Sequence, residues 1–349
     1  MISIQNIYYM LSYAFKVLRD NGYKSMATEE FNNIAEMMAQ ILLRGISLRL
    51  NRGLEKEYLS QTQTLSFLRG KIDIADSIKT QSIRRRQLVC IYDDFSVNNR
   101  MNQIIKSTLE ILLKADIGKN IKKEIRKLMV FFSDVDSIDL YSADWNLRYN
   151  RNNQTYQMLI GICYLVVKGL MQTNSYGLKK LMDYMDEQHM WSLYQNFIFQ
   201  YYKKHYPGLK VSSSQIPWFL DDDKKEMLPV MQSDIYIQRD NTVLIIDAKY
   251  YKNITQVQFG KHKFHSAHLY QMFAYVKNCK YNFADEKISV SGMLLYAKTD
   301  EFIEQNHVYQ MHGNKISINS LDLSLPFEQI AMQMDEIVKT HFPEVEKHG

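Results

Sequence analysis

Apolar residues recur every three to four positions over the first fifty residues. They fall at Ile7, Met10, Leu11 and Ala14, then at Phe31, Ile34, Met38, Ile41 and Leu42, and this spacing predicts two helices. From about Tyr58 to Phe95 the period changes. The stretch QTLSFLRGKIDI sets apolar residues on both sides of Arg69-Gly70, as in a β-hairpin or a bulged strand pair, and RRRQLVCIYDDF reads as a further strand. Helical spacing returns at Ile105, Leu109 and Leu112, with Asn98 or Asn99 as the cap, and a second helix is predicted over 121–132. Residues 134–153 are polar and aperiodic, a connection, and helices are predicted over 155–171 and 187–202. The last third alternates. Strands are predicted near 227–237 and over 242–250 around a turn at Arg239-Asp240-Asn241, then a helix over 265–277, a strand over 288–296 and a helix over 327–341.

A strand, strand, helix, strand succession is an α/β core with a mixed sheet. The expected fold class is therefore α+β. A mixed helix and small β-sheet domain over 1–150 precedes an α/β domain with a mixed central sheet over 151–349, the boundary lying between about 134 and 187. A chain of 349 residues is long for one core, which supports the division. Composition changes this picture little: 46% hydrophobic and 23% charged residues exclude a disordered or fibrous chain. The net charge of +5 is compatible with a polyanionic partner, but the positive charge must then be local or the grip shared with another subunit. Cys90, Cys163 and Cys279 are far apart and outside any CxxC, so no disulfide framework or cysteine zinc site follows. The start MISIQNIYYMLSYAF lacks a basic leader. The longest apolar run, MLIGICYLVV, falls well short of the roughly 20 residues that span a bilayer. The expectation is a cytoplasmic protein without a membrane segment.

The chemistry concentrates in MQSDIYIQRDNTVLIIDAKYYK. Leu244, Ile245 and Ile246 form a continuous apolar run, the signature of a strand buried on both faces, and the run ends in Asp247 with Lys249 two residues on. Residues two apart on a strand share a face, so a carboxylate and an ammonium emerge together from a buried strand. In a hairpin centred on Asp240-Asn241, the residue opposite Asp247 is Asp234. Two facing carboxylates repel unless one is protonated or a cation sits between them, and oxygen ligands of this kind suit Mg²⁺ or Mn²⁺. A divalent ion held by two Asp polarises a phosphodiester and acidifies a bound water, and a neighbouring Lys stabilises the developing charge.

These residues resemble the PD-(D/E)XK nuclease superfamily. The resemblance implies that Asp234 and Asp247 are metal ligands with the Ala248 carbonyl as a third, and that Lys249 is the catalytic lysine. Gln271 and Tyr275, at i and i+4 in HLYQMFAYV, are similar to the QxxxY motif of one branch of that superfamily, beside its active site. IQNIYYMLSYAF, MNQIIKSTLEILLK, LYQNFIFQY, DIYI…LIIDAKYYK and KFHSAHLYQ together resemble the McrC-type nuclease subunits of McrBC modification-dependent restriction systems, over nearly the whole chain. That resemblance implies an endonuclease acting on double-stranded DNA with Mg²⁺ (Mn²⁺ as a substitute). It also implies a McrB-type AAA+ GTPase ring that recognises modified cytosine and is stimulated by this chain's N-terminal domain. No nucleotide is expected on this chain, which lacks a G-x-x-x-x-G-K-[ST] loop. Two departures stand out: Ser233 replaces the proline, and Gln195 stands where the superfamily's first helix often carries a metal-site Glu. A non-catalytic regulator of the ring and a free-standing nuclease are the alternative readings.

Three further groups are candidates. His262, His265 and His268 are spaced by three, but on a helix positions six apart diverge by about 120°, which argues against zinc; His265 is kept as a candidate phosphate contact. Arg69, Gly70 and Lys71, at the expected hairpin tip, are the candidate partner-binding residues. Arg84-Arg85-Arg86 suits either phosphate contacts or a solvated strand edge.

Overall fold

In a computed structural model, residues 2–19, 23, 31–149, 153–173, 187–222, 224–250, 255–258, 261–283, 287–298 and 306–348 are described. Two compact units result: Met1–Glu30 with Tyr184–Gly349, and Phe31–Asp183. Residue 150 lies inside the second unit, which ends at Asp183, within the 134–187 window in which the boundary is expected. Sequence periodicity sees only local order, whereas the unit is closed by long-range contacts. Helix α1 (Ile4–Ala14), capped by the Ser3 side chain, packs with the C-terminal part of the chain. Its buried Asn6 amide donates to the carbonyls of Leu323 and Leu325, and Tyr9 stacks on Phe327 at 4.4 Å.

Within 31–183 the chain forms α2 (Ile34–Leu50), β1 (Glu57–Leu65), β2 (Lys71–Ile72), the short α3 (Ile74–Lys79), β3 (Leu88–Ser96), α4 (Arg100–Lys114), α5 (Lys119–Met129) and α6 (Gln154–Thr173). Asn99 caps α4, its Oδ1 accepting the Asn102 N–H. The side chains of Asn99 and Asn102 both donate to the Glu55 carbonyl, and the Tyr156 hydroxyl of α6 donates to Asn102. The Asn99 and Asn102 side chains are thereby partnered, as buried amides require.

The hairpin expected around Arg69-Gly70 is not formed. Sheet order is β1-β3-β2, so β1 and β2 flank β3 on opposite sides and do not pair with each other. The crossing is made at Gly70, whose φ is +69° and where a Cβ would lie 2.4 Å from the Ile91 carbonyl oxygen. Only glycine allows that approach.

The unit holding residues 184–349 continues with α7 (Glu187–His205), β4 (Lys210–Ser212), β5 (Gln215–Ile216), β6 (Met231–Gln232), β7 (Ile235–Arg239), β8 (Thr242–Lys249), β9 (Thr255–Gln258) and β10 (Lys261–Phe264). Then come α8 (Ser266–Tyr281), β11 (Ser289–Ala297), β12 (His307–Met311), β13 (Asn314–Leu321) and α9 (Phe327–His341). Six strands form a mixed sheet in the order β12-β13-β11-β8-β7-β4, parallel at β8–β11 and β11–β13 and antiparallel elsewhere. The architecture is α+β, as the alternation predicts. β8 lies inside the sheet with seven consecutive buried residues, which is why its sequence is apolar without alternation. Helix α8 covers one face with Met272, Tyr275, Val276 and Cys279 against Val243, Ile245, Val290 and Ile316. It crosses β11 at Gly292, where a Cβ would meet the Met272 sulfur at 2.5 Å. The single strand expected near 227–237 is split into β6 and β7 at Ser233-Asp234, and that break carries chemistry.

Candidate active site

β7 and β8 pair with Ile235 opposite Ile246 and Arg239 opposite Thr242, the register expected from a turn at Asp240-Asn241. Asp240 takes the left-handed conformation (φ +48°) that the tight turn needs. The ladder stops at Ile235, so Asp234 is released from the strand just where it faces Asp247. Its Oδ2 accepts the Ala248 backbone N–H at 2.9 Å, and its Oδ1 accepts the Gln195 side-chain amide at 3.0 Å. Asp247 and Lys249 point to the α8 face of β8 and are 3% and 7% exposed. The Lys249 ammonium is 2.8 Å from Asp247 Oδ2 and donates to Gln271 Oε1 at 3.3 Å. Gln271 Nε2 donates in turn to the Tyr275 hydroxyl (3.0 Å), which donates to the Gln232 carbonyl (3.1 Å). Asp234, Asp247, Ala248, Lys249, Gln271 and Tyr275 are thus brought together.

The electrostatics are those of two carboxyl groups crowded in a dry site. Burial, then the neighbouring Asp247 charge, push the Asp234 carboxyl up to about 8, against the opposing pull of the Ala248 N–H and Lys249. Although the Lys249 ammonium is close to Asp247 Oδ2, its approach is off the hydrogen-bond directions, and that buried oxygen has no hydrogen-bond donor. A buried acceptor without a donor is costly and marks a place where a ligand belongs. The carboxylates and the Ala248 carbonyl are hard oxygen donors, a set that fits Mg²⁺ or Mn²⁺. The Ala248 carbonyl already accepts the Trp191 indole N–H at 2.6 Å, leaving one lone pair for a cation.

One residue here escaped sequence reading. Trp191 lies four residues before Gln195 on α7, and only that i, i+4 spacing could have flagged it. His268, one of the three spaced histidines, reaches the site. Its Nδ1 is 2.8 Å from the buried Tyr296 hydroxyl, and Tyr296 pairs with Lys249 across β8–β11. Burial and then the Lys249 charge push the His268 imidazole down to about 4. His265 is half-buried at the start of α8 with its ring 5.1 Å from that of His268. The histidines do not share a helix, since residue 262 is in β10; its side chain lies outside the described residues. Among the described residues no group of three or more His, Cys, Asp or Glu is arranged to hold a metal.

Arg69, Gly70 and Lys71 are in the other unit and belong to no hairpin tip. Arg69 donates to Asp94 at 3.0 Å and lies 3.8 Å over the Tyr92 ring, while Lys71 is exposed on β2. Arg84 and Arg85 are exposed in a 3₁₀ turn that ends at Arg86 in a left-handed conformation. No described helix is long and apolar enough to cross a membrane.

Fold and site together define an α+β protein whose mixed sheet carries a buried acid–acid–lysine centre. Residues 4–297 match the family described as McrBC 5-methylcytosine restriction system component, and the chain belongs to that family. It is 28% identical over 342 residues to the type IV methyl-directed restriction enzyme EcoKMcrBC of Escherichia coli (strain K12), covering 96% of this chain and 97% of the relative. Its fold is similar to that of a chain in the half-complex from a tetradecameric assembly of Thermococcus gammatolerans McrB AAA+ hexamers with bound McrC. There the TM-score is 0.51 and the identity 15%, over 96% of this chain and 76% of the other.

Proposed function

We propose that this chain is the metal-dependent DNA endonuclease subunit of a GTP-dependent, modified-cytosine-specific McrBC-type restriction complex, and that it also stimulates the GTPase of its partner ring. The observation that carries the nuclease reading is Asp247 Oδ2, buried without a donor beside Asp234 and Lys249. Asp234, Asp247 and the Ala248 carbonyl would hold Mg²⁺ or Mn²⁺. That ion supplies Lewis-acid polarisation of a phosphodiester and a bound water of lowered pKa. The Lys249 ammonium, steered by Gln271 and Tyr275, stabilises charge as it develops on the scissile phosphate. His268, on α8 beside Tyr296, and His265, the cap residue just before that helix, suit contact with flanking phosphates. This arrangement is of the PD-(D/E)XK type. The partner reading rests on the family and on the Thermococcus gammatolerans assembly, in which McrC is bound to McrB hexamers. The Phe31–Asp183 unit is the proposed ring-binding part, with Arg69, Gly70 and Lys71 as contacts.

The test is cleavage of methylated DNA by the full chain with its cognate ring, GTP and Mg²⁺. Wild type cuts, and Asp247→Ala lowers the rate by about 10³-fold, the scale of losing a preorganised charge-stabilising group. Equal cutting by Asp247→Ala would remove the assignment. Stimulated GTPase without cutting by wild type would favour a non-catalytic regulator, and cutting without the ring a free-standing nuclease.

A further inference from the structure

Helix α7 touches the site at two points one turn apart. Trp191 and Gln195, at i and i+4, lie on the same face of the helix. Trp191 Nε1 donates to the Ala248 carbonyl at 2.6 Å, and Gln195 Nε2 donates to Asp234 Oδ1 at 3.0 Å. The Ala248 N–H closes the loop on Asp234 Oδ2 at 2.9 Å. Asp234 and the Ala248 peptide are thereby held against each other and against one helix by three neutral donors.

We propose that Gln195 and Trp191 are positioning residues that fix Asp234 and the Ala248 carbonyl around a single divalent cation, and that the neutral amide of Gln195 limits the site to one ion. The inference rests on the metal-site reading above. Each Asp234 oxygen, having accepted one donor, keeps one further lone-pair direction. With Asp247 Oδ2 and the remaining lone pair of Ala248, that is one set of oxygen ligands. The charge agrees. With both carboxyls ionised, as a bound cation requires, two carboxylates against the Lys249 ammonium leave a net of about −1, so one divalent ion brings the centre to about +1, the charge that one phosphodiester neutralises. A second ion would leave about +3 at residues only 3% and 7% exposed, where an uncompensated charge is expensive. No further acid is at hand among the described residues, where His, Cys, Asp and Glu form no group of three. A glutamate at 195 would supply both the missing charge and the missing ligand, 3.0 Å from Asp234.

The test counts Mn²⁺ bound to the full-length chain, by electron paramagnetic resonance of free Mn²⁺ and by calorimetry, with thermal unfolding as the folding control. Wild type binds one Mn²⁺ per chain. Gln195→Ala and Trp191→Phe still bind one, 10- to 100-fold more weakly, the usual cost of losing a residue that orients a ligand. Trp191→Phe keeps a ring in place and removes only the donor, so it decides the matter if Gln195→Ala does not fold. Gln195→Glu binds a second Mn²⁺. Two ions on wild type, unchanged affinity in Trp191→Phe, or a single ion on Gln195→Glu overturns the inference while leaving the nuclease reading intact. Mn²⁺ binding by Asp247→Ala equal to wild type removes the metal site itself, and this inference with it.

Discussion

The sheet that carries the site and the small sheet of β1, β2 and β3 handle charge and apolar surface in opposite ways. On β8, Asp247 and Lys249 are buried at 3% and 7% exposure, paired with each other, with Lys249 held by Gln271 from α8. On β1 and β3, Tyr58 and Phe95 sit directly opposite each other, rings 4.9 Å apart, yet are 73% and 54% exposed. Ile74, Ile78 and Ile83 between these strands are more than half exposed as well. A charge kept in a dry interior costs several kcal/mol unless it is paired, and it is retained where chemistry uses it. Aromatic and aliphatic side chains left in water suit a surface that a partner covers. One unit keeps its costly groups inside, the other outside.

The largest expected effect on stability lies at the buried pair. Lys249→Met removes the ammonium and leaves Asp247 uncompensated beside Asp234, a loss of about 3 kcal/mol on the scale of broken buried ion pairs. For a unit of this size that lowers the melting temperature by roughly 6–12 °C. The double variant Asp247→Asn with Lys249→Met regains most of the loss, because no unpaired charge remains. Chemical denaturation of the single and double variants decides it. If Lys249→Met melts with wild type, the pair is not as dry as the geometry says.

A second effect, graded with pH, follows from Asp234. Its carboxyl titrates near 8 in the folded chain and near the ordinary 3.8 when unfolded. Between those values the folded state binds the extra proton, so the contribution is fully present below about pH 4 and is lost as pH rises through 8. Without divalent metal, the chain should therefore lose stability from pH 5 to 8.5. A divalent cation competes with that proton, so the melting shift given by Mg²⁺ should grow over the same interval. Asp234→Asn should flatten both trends, and a pH dependence surviving in that variant would assign them to another group.

How much of this was legible in the sequence depends on how local each feature is. The apolar run Leu244–Ile246 announces a central strand, and a two-residue turn fixes register arithmetically, so the facing of Asp234 and Asp247 follows from the chain alone. α9 was readable to its ends from its helical period. β12 and β13 were not, because β12 is an edge strand with three of its five residues exposed and no alternation. The β1-β3-β2 order depends on Gly70 passing under Ile91, a contact 21 residues away that no periodicity records. The grip of Trp191 on Ala248 spans 57 residues and ends on a backbone carbonyl, which has no sequence identity to read. The packing of α1 with the C-terminal part, through Asn6, was hidden for the same reason.

The smallest expected stability change belongs to the exposed face, and it makes the sharpest contrast with β8. Tyr58 and Phe95 are one cross-strand pair, worth about 0.2–1 kcal/mol, and both rings are already largely in water. Tyr58→Ser with Phe95→Ser should therefore shift the melting temperature by only a few degrees and leave Mn²⁺ binding untouched. If the face is where the partner ring sits, the same double variant lowers stimulation of the ring's GTPase by tenfold or more, since aromatic anchors dominate interface energies. Stimulation equal to wild type would move the contact elsewhere in the Phe31–Asp183 unit. A large drop in melting temperature would instead make the two rings part of that unit's own packing, and the contrast between the two sheets would then fail on its second half.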